Sequence, residues 1–124
     1  MKKKDKLKKL SSILKNNLKK LKIRENKNAF IASDITCLGK LRLKKNEISE
    51  TIFNAIKSSL SKNSTIFVPT GNMNLCNANE TFDLKKTKSF QMGAFSEYVR
   101  KKKGSVRSLH PYWSVSANGI NSKL

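Results

Sequence analysis

Leu7, Leu10, Leu14, Leu18 and Leu21 recur at spacings of three and four, with Ile13 beside them and lysines filling most of the remaining positions. That period predicts a basic amphipathic helix within residues 1–27, its apolar stripe covering a sheet and its lysine face in water. The period then changes. Ala29-Phe30-Ile31-Ala32 is a short apolar run after a polar stretch, the pattern of a buried strand. Helical spacing returns over 46–61 with Ile48, Ile52, Ala55, Ile56 and Leu60. Asn46 is the predicted N-cap, Glu47 and Glu50 sit near the start, and Lys57 and Lys62 near the end, as the helix dipole favours. Ser64-Thr65-Ile66-Phe67-Val68 reads as a second strand stopped by Pro69. A polar, Asn-rich stretch over 70–88 has no period and predicts a long loop. A third helix fits 90–103, with Phe95, Tyr98 and Val99 inward, Ser89 as cap and Gly104 after its basic end. Val106 to Pro111 and then Ser114 to Ala117 predict a third strand.

Helices and strands that alternate in this way imply an α/β fold, a layered α/β/α arrangement with a mainly parallel central sheet and right-handed crossovers. A parallel sheet is covered on both faces, and three strands cannot achieve that alone. The pattern therefore predicts the opening part of a larger domain, truncated after about three strands.

Composition narrows the options less than its extremes suggest. Against 8 acidic residues stand 27 basic ones, a formal net charge of +19, and 23 of the basic residues are lysine. Low-GC coding favours such a skew. Residues 1–27 alone carry 11 lysines and Arg24 against Asp5 and Glu25, or +10. A surface of this kind attracts any polyanion, whether nucleic acid, anionic lipid or a phosphate-bearing cofactor. The chain is 37 % hydrophobic, and its apolar residues are clustered, which argues against wholesale disorder. No run approaches the roughly 20 apolar residues of a spanning helix. Lys15 and Lys19 interrupt what a secretory signal would keep apolar, so the expected compartment is the cytoplasm.

Cys37 and Cys76 lack a CxxC partner or flanking histidine, and predict reduced thiols, one or both buried, with no metal. The five glycines are isolated, so no glycine-rich phosphate loop is present. His110 is the one side chain suited to proton transfer at neutral pH, in an extended or turning segment before Pro111, Tyr112 and Trp113.

The string MGAFSEYVRKKKGSVRSLHPYWSVSANG, Met92 to Gly119, resembles the aminoglycoside 3-N-acetyltransferase family, whose members read M-G-x-[LF]-x-E-x-[FV]-R and then R-S-x-H-P-x-x-S-V-x-A-x-G. Leu21 to Arg24, Thr65 to Thr70, and Thr81 to Ser89 fall in register with the family's L-G-I-x, T-L-V-x-P-T and x-F-D-x-x-x-T-P-S. The resemblance spans residues 7–119. It implies an acetyl-CoA-dependent acyltransferase that acetylates an amine of an aminoglycoside or amino sugar. It also implies that Ser33, Asp34, Ser108, His110, Ser114 and Val115 lie along the acetyl-CoA cleft. Asp34 stands where the family's H-S-S-L loop has its second serine, and Trp113 where antibiotic-modifying members often carry another histidine.

Members are about twice this length, with the catalytic histidine and its acidic partner in the second half. The chain is thus expected to be the N-terminal portion of a single N-acetyltransferase domain: a basic helix over 1–27, a family-like core over 28–119 and an abrupt end over 120–124. No complete catalytic set is expected within it; His110 is the candidate it offers. The basic balance disfavours a polycationic antibiotic, so an amino-sugar nucleotide or surface-polysaccharide sugar is an equal candidate acceptor. On this reading the partners are small molecules, with neither nucleic acid nor a membrane span. The rival readings are a small basic nucleic-acid- or anionic-membrane-binding protein, and an inactive remnant.

Overall fold

The computed structural model describes residues 1–25, 28–77 and 79–123. Asn26 and Lys27 of the expected basic segment, Ala78 of the long loop and Leu124 at the end therefore lie outside the described residues. Among the described residues three α-helices, α1 (Lys3–Lys20), α2 (Lys45–Ser59) and α3 (Ala94–Lys101), accompany four strands, β1 (Asn28–Phe30), β2 (Thr65–Pro69), β3 (Ser105–Arg107) and β4 (Val115–Gly119).

The strands form one mixed sheet in the order β1-β2-β4-β3. β1 pairs with β2 in parallel, whereas β4 is antiparallel to both β2 and β3. The expectation of a mainly parallel sheet of about three strands is corrected here. β1, β2 and β3 do run the same way, but residues 105–119 make two strands joined by a short turn. A parallel return needs a dozen or more residues, and the seven between β3 and β4 allow only a hairpin. That hairpin inserts β4 between β2 and β3.

Strand residues alternate between faces. Ile66 and Val68 point to the helices and are fully buried with Ile48, Ile52, Phe53 and Ile56 of α2 and Phe95 and Val99 of α3. α1 does not cover the sheet. It packs on α2 through Leu10, Leu14 and Leu18, while Ile13 and Leu21 are left exposed. Its stripe is narrower than the leucine pattern suggests, and none of its residues is fully buried. Lys6 Nζ donates to the Leu41 carbonyl at 3.0 Å, and Lys3 pairs with Glu47.

Helix α2 starts one residue earlier than its pattern implies. Lys44, not Asn46, takes the N-cap position, and the Glu47 carboxylate accepts from the Lys44 backbone N–H at 3.3 Å. Ser58 and Ser59 close the helix by donating to the Ala55 carbonyl at 3.0 and 2.7 Å. α3 is shorter than expected, with Gly93 rather than Ser89 before its first turn.

β1 also departs from expectation. It is an edge strand, and Phe30 lies 61 % exposed on the face opposite the helices. The pairing register places Phe30, Phe67, Ala117 and Val106 in one row across that face, with Ala117 buried and Asn121 and Ser122 lying beside it.

Candidate functional site

The carboxyl ends of β1, β2 and β3 and the start of β4 meet at one edge of the sheet, the edge where α/β folds bind ligands. Residues 32–34 leave β1 there, Thr70 and Gly71 leave β2, and the 108–114 turn links β3 to β4. Gly71 is required by close approach: a Cβ would sit 2.0 Å from the Tyr112 carbonyl oxygen. Gly93 answers a different demand. Its φ of +86° and its contact with the Ser33 carbonyl, 2.6 Å from where a Cβ would stand, press the start of α3 onto the β1 loop.

Between them lies an open cleft of about 420 Å³ lined by Ala32, Ser33, Asp34, Pro69, Gln91, Met92 and Gly93. Ser33 Oγ is buried without a hydrogen-bond partner. No side chain caps α3, and Gly93, the residue before its first turn, lines the same cleft as that hydroxyl. Asp34 is engaged elsewhere: its Oδ1 accepts from the Thr36 backbone N–H at 2.9 Å and from Thr36 Oγ1 at 2.7 Å, starting the short helix Thr36–Leu41. The Thr36 hydroxyl, then its amide, hold the Asp34 carboxyl below its usual range.

The other expected residues share the edge but not the cleft. Ser108 Oγ accepts from the Val115 N–H at 3.0 Å, and both line a separate groove of about 450 Å³ on the sheet face opposite the helices. His110 is exposed on the turn. Its Nδ1 accepts the Trp113 N–H at 3.1 Å, which places the proton of the neutral ring on Nε2. Ser114 is 1 % exposed and belongs to a buried polar network. It donates to the Thr70 carbonyl at 2.9 Å and accepts from Arg107 Nε at 2.9 Å. Thr70 Oγ1 links onward to Ser116 Oγ at 3.1 Å.

Arg107 is the residue that sequence reasoning passed over. It is 9 % exposed, and it donates to the carbonyls of Thr70 and Thr87 while stacking on the Phe82 ring at 4.8 Å. Among the described residues no carboxylate forms an ion pair with it. Burial, and then the nearby Arg100 charge, pull its pKa down. The signal was available: Arg107 opens the R-S-x-H-P string and is one of only four arginines in a lysine-rich chain.

The described residues of the 70–88 segment are tied together by hydrogen bonds. Its ends meet where the Phe90 N–H donates to the Gly71 carbonyl, and Asp83 Oδ1 caps the Lys85 and Lys86 amides at 2.8 and 2.7 Å. Glu97 of α3 secures its far side, accepting from Ser89 Oγ at 2.8 Å and from Arg100 Nε at 2.8 Å. Burial pushes the Glu97 carboxyl up, but Arg100 and Ser89 outweigh it and hold the pKa at about 2, below its usual 4.5. The stabilisation is thus complete above about pH 4.5 and is lost as pH falls toward 2. Urea midpoints measured at pH 6 and pH 3 should fall more for the natural chain than for Glu97→Gln. Equal losses would remove this pair from the acid response.

Among the described residues no group of three or more His, Cys, Asp or Glu side chains could hold a metal. Both cysteines are free and exposed, against the expectation that one or both are buried. No described helix is long and apolar enough to cross a membrane.

A family model described as aminoglycoside 3-N-acetyltransferase matches residues 31–123. Among curated proteins, none matches. Solved structures share the fold at low identity. The YokD protein from Bacillus subtilis is 17 % identical with a TM-score of 0.74, the match covering 90 % of this chain and 50 % of that one. AAC-IIIb in its binary complex with CoASH is 16 % identical with a TM-score of 0.72, covering 91 % and 47 %. The aminoglycoside acetyltransferase AAC(3)-IVa in complex with apramycin is 18 % identical with a TM-score of 0.73, covering 91 % and 44 %. The chain spans about half the length of these solved structures.

Proposed function

Because this chain belongs to the aminoglycoside 3-N-acetyltransferase family, we propose that the cleft beside Ser33 receives the acetyl-CoA of an N-acetyl transfer to an aminoglycoside or amino sugar. One observation carries the reading. A buried hydroxyl without a partner and an uncapped helix start line the same cleft, and both are donors that an oxygen-rich ligand would satisfy. A neighbour of the same fold is bound to CoASH, which supports the choice of ligand. Ser33 and the first amides of α3 would hold its polar groups. Gly93 keeps the helix start close enough to the β1 loop for both to reach one ligand. When bound, acetyl-CoA supplies an activated thioester carbonyl.

The acceptor amine has to lose a proton before it can attack that carbonyl. His110 is poorly set for this in its present tautomer, since Nδ1 already accepts from the Trp113 N–H and Nε2 carries the proton. Asp34 is ionised but held by Thr36. The base is therefore assigned to no residue of this chain, and the 124-residue polypeptide supplies the donor side of the reaction. The acceptor stays at the level of an amino-bearing sugar.

Calorimetry with acetyl-CoA tests this. The chain should bind it, and Ser33→Phe, which fills the cleft, should weaken binding at least about tenfold, the loss of about 1.4 kcal/mol. A thiol-release assay with kanamycin-like or amino-sugar acceptors should show no turnover by the chain alone. Absence of binding by the folded chain, or equal binding by Ser33→Phe, would sink the proposal.

A further inference from the structure

Three non-glycine residues among those described have a left-handed backbone: Lys22 with φ +52°, Arg42 with φ +54° and Gln91 with φ +57°. A Cβ crowds the following carbonyl there, so the conformation costs free energy in any residue but glycine. Two of the three have an evident cause. Lys22 follows the end of α1, its N–H donating to the Lys19 carbonyl at 3.1 Å. Arg42 ends the Thr36–Leu41 helix, its N–H donating to the Gly39 carbonyl at 3.0 Å. A left-handed residue is a common way for a helix to stop. Gln91 ends no helix. It stands in the wall of the Ser33 cleft, between fixed points on either side. Before it, the Phe90 N–H donates to the Gly71 carbonyl at 3.0 Å; after it, Gly93 presses on the Ser33 carbonyl. The hydrogen bonds of this stretch join Asn72 to Lys88, Ser89 to Glu97 and Phe90 to Gly71, and among the described residues none involves the Gln91 carboxamide. A glycine would make the same turn at lower cost. The side chain, not the backbone, is what distinguishes the position.

We infer that Gln91 is a specificity-determining residue of this cleft, its carboxamide hydrogen-bonding an amide of the pantetheine arm of acetyl-CoA. The inference rests on the reading of the cleft as the acetyl-CoA site. The chemistry of the lining selects that group. Ala32, Pro69 and Met92 are apolar and lie among the polar residues, which suits a chain of alternating methylene and amide segments. A phosphate placed there would meet the Asp34 carboxylate. Phosphates and thioester carbonyls only accept hydrogen bonds, whereas the amides of the arm also bring N–H donors that need an acceptor. Asp34 Oδ1 is already occupied by the Thr36 amide and hydroxyl. Gln91 has an acceptor oxygen and two N–H donors on separate atoms, so it can answer either half of an amide. Its place between two fixed points lets it do so with little loss of freedom on binding.

Gln91→Gly separates the side chain from the backbone, because it removes the carboxamide and relieves the left-handed turn in one step. The urea midpoint should hold or rise, by as much as roughly 0.5 M. The affinity for acetyl-CoA, measured by calorimetry on the same sample, should fall about fivefold. Opposite movement of the two readouts is the signature, since a residue that only supports the fold would lower both. Adenosine 3′,5′-bisphosphate, which carries phosphates and no amide, sets the second arm: whatever its affinity for the natural chain, Gln91→Gly should leave it unchanged. Acetyl-CoA affinity that survives Gln91→Gly overturns the inference. A midpoint that falls with the affinity overturns it too, by making the side chain structural. An equal loss for the bisphosphate does the same, by moving the contact off the arm. A natural chain that binds no acetyl-CoA is a different failure: the reading of the cleft goes first, and Gln91 is left with no ligand to contact.

Discussion

Replacing Arg107 with methionine should lower stability by about 3–5 kcal/mol, a large part of the roughly 5–15 kcal/mol that holds a domain of this size. The size follows from what is left behind. Methionine fills much of the volume but donates nothing, so the Thr87 carbonyl is orphaned, while the buried Thr70 carbonyl and Ser114 hydroxyl lose a charged donor and keep their mutual bond. Each lost bond to the guanidinium costs about 1–3 kcal/mol. Arg107→Lys separates charge from geometry: an ammonium carries the same charge but cannot span three acceptors arranged around a planar fork, so most of the loss should remain. The readouts are the urea midpoint, followed by fluorescence of Trp113, and tryptic cleavage at Lys85, Lys86 or Lys88 in the loop that Arg107 ties down. Cleavage should rise in step with the loss of stability. An unchanged midpoint would mean that water replaces the guanidinium at no cost, and that the network is not what anchors the loop.

This residue also marks where the sequence ceases to be informative. Periodicity finds helices well because burial of a stripe determines where they form, and Ile48, Ile52 and Ile56 or Phe95 and Val99 are buried as their spacing requires. It found the stretch of α1 but not its neighbour, since a stripe says that something is covered and not what. Topology was legible only in part. The alternation of elements suggests parallel strands, and Val106 to Pro111 with Ser114 to Ala117 read as one strand, so the hairpin they form shows only in the pairing. Phe30 misled for a related reason: an apolar run looks the same whether its outward residues meet a helix or remain open. At the candidate site, resemblance brought residues 33–34 and 108–115 to one edge of the sheet. It could not tell Ser33, which faces a cleft, from Ser114, whose hydroxyl is committed to Thr70 and Arg107. Arginine in a lysine-coated chain reads as solvated surface, and only packing reveals that this one is inside.

Truncating Phe95 to alanine is expected to cost about 3–5 kcal/mol and, with it, the cleft. Phe95 is fully buried, the largest side chain to be so, and it sits in the first turn of a helix of only eight residues. A helix that short has no stability of its own in water and persists because its apolar face is packed. Phe95 and Val99 seat it against Ile66 and Val68, and Ser105 Oγ bonds the Val99 carbonyl at its far end. Losing the ring removes the inner support just where Gly93 presses against the Ser33 loop. Two measurements should therefore move together: the urea midpoint, and the affinity for acetyl-CoA at a temperature where the variant remains folded. Phe95→Leu keeps most of the volume and should recover much of both. If the alanine variant, folded but less stable, binds as tightly as the natural chain, the position of α3 does not shape the cleft, and the role given to its first turn is wrong.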